Sequence, residues 1–187
     1  MESATVALLI FDFGLIVSLP HIFFLPGGRL NLRWWLTALP VAVCPAFVIG
    51  AQVARLPSLL PARWLPWTGS VAALLFMLSV GLIAMALGSH DQPIAQWHQD
   101  DDDPEQLVTY GAYERIRHPF YTAFLLAFGG AVLAFPHVVT IALASYMTCM
   151  LTALAIREER RLKQSAFGAD YADYVDRAGR FLPKAST

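Results

Sequence analysis

Arg117, His118 and Pro119 stand where a charged, water-loving stretch gives way to a long apolar run, inside the segment "ERIRHPFYTAF" (114–124). Tyr113 and Tyr121 flank them, and Glu158 and Glu159 follow at the end of the next apolar run. Proline suits the first position of a helix, because its ring presets φ and its missing N–H would have no partner there. The backbone donors of that helix start, with the helix dipole, make a site for an anion, and Arg117 and His118 lie beside it. The two glutamates form the opposite pole, which attracts cations. A zwitterion carrying an aromatic ring would suit such a pair of poles, with the tyrosine faces against its ring or an onium centre. The competing reading is architectural. Arg, His and Glu at the ends of apolar helices also serve as snorkelling anchors and ion pairs, with Arg117–Glu158 the leading structural pair.

Composition decides what kind of element positions these groups. The chain is 57% hydrophobic and only 14% charged, with a mean hydropathy of +0.52. Soluble domains average about 45–50% apolar and about 25% charged residues, so the chain reads as a membrane protein. The net charge of -1 says nothing about partners, and no nucleic-acid partner is expected. Membrane lipids and a hydrophobic small molecule are the expected partners, and nothing bears on oligomeric state.

A helix needs about 20 apolar residues to cross the hydrocarbon. The apolar runs predict spans near 4–25, 34–54, 67–88, 119–135 and 137–156. The first has no Lys or Arg before it and reads as a span rather than a signal peptide. Only Pro136 and its neighbours separate the last two, which must therefore form a tight hairpin, because lipid cannot solvate a long exposed loop. Trp34, Trp35, Trp64 and Trp67 fall at span ends, where interfacial aromatics belong. Five spans place Arg29, Arg33, Arg115, Arg117 and the seven cations after Ile156 on one side, against Arg55 and Arg63 on the other. The positive-inside rule makes the crowded side cytoplasmic and the N-terminus external; in a bacterium the membrane would be the inner one.

After the last span, helical spacing of Glu158, Arg161 and Leu162 extends the fifth helix to Phe167, with Gly168 as its stop. A short helix carrying Tyr171, Tyr174 and Val175 on one face would follow, ending near Gly179 and lying on the membrane or capping the cytoplasmic side. The expected fold is thus an all-α integral membrane protein of five transmembrane helices, the last two a hairpin, plus a short C-terminal helix. It forms a single domain: three helices within 1–88, a cytoplasmic loop 89–118, the hairpin 119–156, and a tail 157–187 completing the site.

Asp12 lies inside the first span, and intramembrane acids are functional candidates by default. It motivates a rival reading as a small transporter, although no intramembrane Lys or Arg accompanies it. Asp100, Asp101, Asp102 and Asp103 read as a solvated loop rather than a cation site. His21, His90, His98 and His137 have no ligand spacing, and no metal is expected. Cys44 and Cys149 sit in apolar runs and are expected to be buried, reduced and inert.

The order "LVTYGAYERIRHPFY", then "EERRLKQSAFGADYADY", then "RFLP" resembles the isoprenylcysteine carboxyl methyltransferase and phospholipid methyltransferase superfamily of integral-membrane enzymes, over residues 105–183. The resemblance implies S-adenosylmethionine as cofactor, held by helix ends rather than a Rossmann domain. It assigns Leu107, Val108 and the backbone before Gly111 to the pocket lining. Tyr113, His118, Pro119 and Tyr121 would touch the cofactor, and Glu158 would hold its polar end. His98, a short loop earlier, joins the candidates. Arg117, His118 and Glu159 are the candidate catalytic residues, with His118 or Glu159 as base if the acceptor is an amine. Gly111-Ala112-Tyr113 stands where the superfamily usually has Gly-Pro-Tyr, and Ala123 where it has Gly. Leu154 replaces an arginine that handles substrate in eukaryotic isoprenylcysteine enzymes, which puts a prenylcysteine acceptor in doubt, though Arg157 or Arg161 could replace the charge. The implied activity is methyl transfer to a lipidic carboxylate, amine or thiol. A noncatalytic membrane sensor on the same fold is the remaining alternative.

Overall fold

The computed structural model describes residues 3–19, 23–24, 27–89 and 107–184, leaving out the side chain of Arg33. His21, His90, His98 and the four consecutive aspartates lie outside the described residues. Among the described residues six α-helices follow one another: α1 Ser3–Ser18, α2 Leu32–Val53, α3 Leu65–Leu87, α4 Pro119–Ala134, α5 Val138–Gln164 and α6 Gly168–Arg177. Single 3-10 turns, Ala62–Trp64 and Gly111–Glu114, lead into α3 and α4. Among the described residues there is no strand.

Helices begin where the sequence offers a cap. The Asn31 side chain accepts from the Trp34 amide at 3.3 Å to open α2. His137, otherwise an unexplained histidine, caps α5: its Nδ1 accepts from Val139 N at 3.2 Å while the Thr140 hydroxyl accepts from His137 N. Pro66 and Pro119 stand in the first turns of α3 and α4. Among the described residues three helices, α2, α3 with its leading turn, and α5, are long and apolar enough to cross a membrane. The first helix is shorter than its apolar run suggested. It stops at Ser18, whose hydroxyl bonds Leu15 O, and Pro20 disfavours helical backbone in the residue before it.

The core is a contact of α1, α3 and α4, with α2 and α5 packed around it. Leu9 and Phe13 of α1, Phe76 of α3, and Phe124 and Phe128 of α4 are almost wholly buried. The Phe13 and Phe128 rings meet edge-on at 5.3 Å. Gly130 admits the Phe76 ring, whose edge lies 2.7 Å from where a Cβ would stand, so a small residue lets α3 and α4 close together. Asp12 is fully buried between α1 and α3, with Ser79 Oγ donating to its Oδ1 at 2.9 Å. Its Oδ2 has no partner. Cys44 is buried as expected, but Cys149 faces outward from the bundle, because its helix presents that side to the surroundings.

The two ends of the bundle differ. At one, Leu59 N and Ser58 Oγ both donate to Pro136 O, at 2.8 and 3.3 Å, tying the α2–α3 connection to the turn between α4 and α5. At the other, the end of α3, the 107–118 segment, the start of α4, the end of α5 and α6 converge. The fifth helix ends three residues before the expected Phe167. Ser165 terminates it, accepting from Phe167 N and donating to Leu162 O. Gly168 is therefore not a helix stop but the first residue of α6. That helix caps the bundle, with Tyr171 and Tyr174 buried against Leu107 and Leu162.

Candidate functional site

Glu158 and Glu159 are neighbours on α5, and successive helical residues point about 100° apart, so they meet different surroundings. Glu159 is buried and collects cations. Arg117 donates to its Oε1 through Nε at 3.3 Å and Nη2 at 2.9 Å. Arg180 bridges both oxygens, Nε to Oε1 at 2.9 Å and Nη2 to Oε2 at 2.8 Å. Glu158 retains about a third of its side-chain exposure. It accepts a hydrogen bond from the Tyr121 hydroxyl and stands 3.4 Å from His118 Nδ1. The structural pair expected between Arg117 and Glu158 is thus replaced by Arg117–Glu159, since only Glu159 faces the arginine.

His118 lies between the two carboxylates. Its Nε2 is 3.3 Å from Glu159 Oε1, and its ring stacks on Tyr121, centroids 5.3 Å apart and planes 1° from parallel. Burial works against the charged imidazolium, but hydrogen bonds and charge from Glu158 and Glu159 outweigh it and raise its pKa above 6.5. Tyr113 stands on the last turn before α4, and burial, then the neighbouring Tyr174 and Glu158, push its phenol well up. Tyr113 and Tyr121 both present their rings to this corner.

Backbone holds the segment that carries these groups. Residues 178–181 form a strap beside 115–118: Gly179 N donates to Arg115 O, Arg117 N to Gly179 O and His118 N to Arg180 O, at 3.0, 2.8 and 3.1 Å. Arg117 also reaches Ala178 O, and Thr122 Oγ1 reaches Phe181 O at 2.9 Å. The amides of Arg117 and His118, just before α4, are taken up by these carbonyls, whereas the donors that the sequence offered to an anion belong to the helix start that follows. Tyr174 of α6 donates its hydroxyl to Tyr113 O at 2.5 Å; burial pushes that phenol up to about 12, so it stays a donor.

Gly111 begins the approach with φ +62°, the left-handed region that favours glycine. A Cβ there would strike the Ser89 hydroxyl, which accepts from Ala112 N at 3.2 Å and donates to Met85 O. Val108 is buried and Leu107 half-buried against α6. Pro119 opens α4, and Ala123 is fully buried in the core. Leu154 packs half-buried against the core.

The described candidates therefore divide. His118, Tyr121 and Glu158 share one corner with Tyr113 close by, while Glu159 is bound by both Arg117 and Arg180. Ser89, Tyr174 and Arg180 hold the site together without having been singled out as site residues from sequence. Tyr174 and Arg180 did carry a signal, as the last residue of "EERRLKQSAFGADYADY" and the first of "RFLP".

A family model described as phospholipid methyltransferase matches residues 65–170, more than half of the chain. The matched stretch runs from α3 into α6 and contains Ser89, Gly111, Tyr113, His118, Tyr121, Glu158 and Glu159, but not Tyr174 or Arg180. No curated protein and no solved structure matches the chain.

Proposed function

The chain belongs to the phospholipid methyltransferase family, and on that premise we propose that it is an S-adenosylmethionine-dependent methyltransferase of multi-pass membrane architecture, acting on a lipidic or hydrophobic acceptor. The observation that carries this reading is Glu158: a partly exposed carboxylate beside His118 and Tyr121, at the mouth of a helix pair inside the matched stretch. The donor set fits the cofactor's chemistry. Glu158 would hold its ammonium or ribose hydroxyls, His118 its carboxylate, and the Tyr113 and Tyr121 rings its adenine and sulfonium. When bound, S-adenosylmethionine supplies a methyl group activated by the sulfonium.

The chain's own contribution is orientation and exclusion of water, which such displacements chiefly require. Glu159, neutralised by two guanidinium groups, is a poor proton acceptor. Its role is to hold His118 and the strap. His118 and Glu158 are the groups left to take a proton if the acceptor is an amine or thiol; a carboxylate acceptor needs no base. The acceptor would arrive sideways between helices from the lipid.

The architecture we infer is five spans, with the site at the cytoplasmic face. The helices α1 and α4, 16 residues each, are about 24 Å long, short of a hydrocarbon layer of about 30 Å. The charged segments before α4 and at the end of α5 gather at one end, which fits a site at the edge of the bilayer.

Calorimetric titration of the purified protein with S-adenosylmethionine and S-adenosylhomocysteine tests the reading. Micromolar binding is expected, followed by transfer of labelled methyl groups into a lipid extract. Absence of binding to both compounds would remove it, and binding without transfer to any extract would favour a sensor.

A further inference from the structure

The match to the family ends at residue 170, yet Arg180, beyond it, reaches the centre of the site. Arg117 approaches Glu159 through one oxygen only, which leaves the carboxylate plane free to turn about that contact. Arg180 spans both oxygens, and a bidentate guanidinium fixes the plane of a carboxylate. With that plane set, Oε1 lies 3.3 Å from His118 Nε2. The ring is then locked from three sides: Glu159 at Nε2, Tyr121 against its face, and its own amide on Arg180 O at 3.1 Å. Its Nδ1 edge is turned to Glu158, the partly exposed carboxylate.

We propose that Arg180 is a positioning residue: it acts through Glu159 to hold the His118 ring in the orientation that receives the ligand. The proposal rests on the reading above that His118 faces the cofactor. Arg180 is itself 37% exposed at the side chain, so direct contact with the ligand is the alternative, and the two differ in additivity.

The test is a double-mutant cycle on the full-length protein in detergent, read as S-adenosylhomocysteine affinity. R180Q should weaken binding about tenfold, within the roughly twofold to hundredfold coupling of residues in one network. H118N should weaken it as well, and the double variant should bind no worse than H118N alone, within about twofold. Losses that add would overturn the proposal in favour of direct contact. R180K keeps the charge and guards against a misfolded R180Q; an ammonium lacks the rigid planar fork that fixes the carboxylate plane, so its affinity should also fall, and wild-type affinity would overturn the proposal. A wild-type protein that binds no S-adenosylhomocysteine would sink the functional reading, but not this one. The ligand-free protein then decides. The His118 Nε2 proton should be visible and slow to exchange by NMR in wild type and lost in R180K; its persistence there would refute the positioning role.

Discussion

Two adjacent glutamates behave differently because a helix turns them to different neighbours, and substitution should separate them. Glu158→Gln keeps shape and removes charge at a partly exposed position. It should leave the thermal midpoint in detergent nearly unchanged and weaken S-adenosylhomocysteine binding by about 1–3 kcal/mol, the scale of a hydrogen bond to a charged group. Glu159→Gln strips the shared partner from Arg117 and Arg180 at a buried site, and should cost about 3 kcal/mol of stability. Equal thermal midpoints for the two variants would undo this division of labour. His118 adds a pH signature. Its pKa is raised in the folded protein, so its contribution to stability is full below the ordinary value of about 6.5. That contribution is lost as pH rises through the higher, folded value. The thermal midpoint should therefore fall as pH climbs from about 6 into the alkaline range, and His118→Asn should flatten that part of the profile. Both glutamates and the histidine were legible in the sequence as a cluster of opposite charges. Which glutamate takes the arginine was not, because that depends on helix phase against a partner, Arg180, some twenty residues further along the chain.

At the scale of elements, the site is a loop clamped between α3, α6 and the strap, and its fine shape depends on one glycine and one phenol. Gly111→Ala forces a side chain into left-handed backbone, which costs about 1–3 kcal/mol, and drives a methyl against Ser89. It should weaken cofactor binding more than it lowers the thermal midpoint, since the strain falls on the 111–114 turn; equal binding would show that the turn does not shape the pocket. Tyr174→Phe removes the hydrogen bond to Tyr113 O and should cost about 1 kcal/mol. Apolar run length located the first five helices, aromatic spacing the sixth, and Asn31, Pro66 and Pro119 explain the starts of α2, α3 and α4. Helix ends were less readable. Gly168 carries a strong stop signal, yet Ser165 ends α5 first by bonding back to Leu162 O and on to Phe167 N, a competition between local hydrogen bonds that residue types alone do not decide. The strap was unreadable for a related reason, since its pairing with 115–118 is backbone to backbone and leaves no side-chain pattern.

For the whole molecule, the inferred five-span arrangement makes the two bundle ends face opposite compartments. The cohesion of each end is observed: Ser58 and Leu59 bond Pro136 at one, while Ser89, Tyr174 and Arg180 draw α3, α6 and α5 together at the other. Arg55 and Arg63 are the basic residues of the first end, whereas Arg115, Arg117 and the cations after Ile156 crowd the second, which the positive-inside rule assigns to the cytoplasm. Single cysteines at Leu60 and Ala172, both exposed, report on the two ends without touching any contact named above. A membrane-impermeant maleimide added to intact cells should label Leu60→Cys and spare Ala172→Cys, with the pattern reversed in inside-out vesicles. Native Cys149, outward-facing in the middle of α5, should stay unlabelled from either side, because lipid covers it. Labelling of both introduced cysteines from one side would mean an even number of crossings between the α2–α3 connection and α6. That outcome would remove the five-span arrangement, because α4 runs from the end that holds Ser89 and Glu158 to the end where Pro136 meets Ser58 and Leu59, and it would take with it the placement of the cofactor corner at the cytoplasmic face.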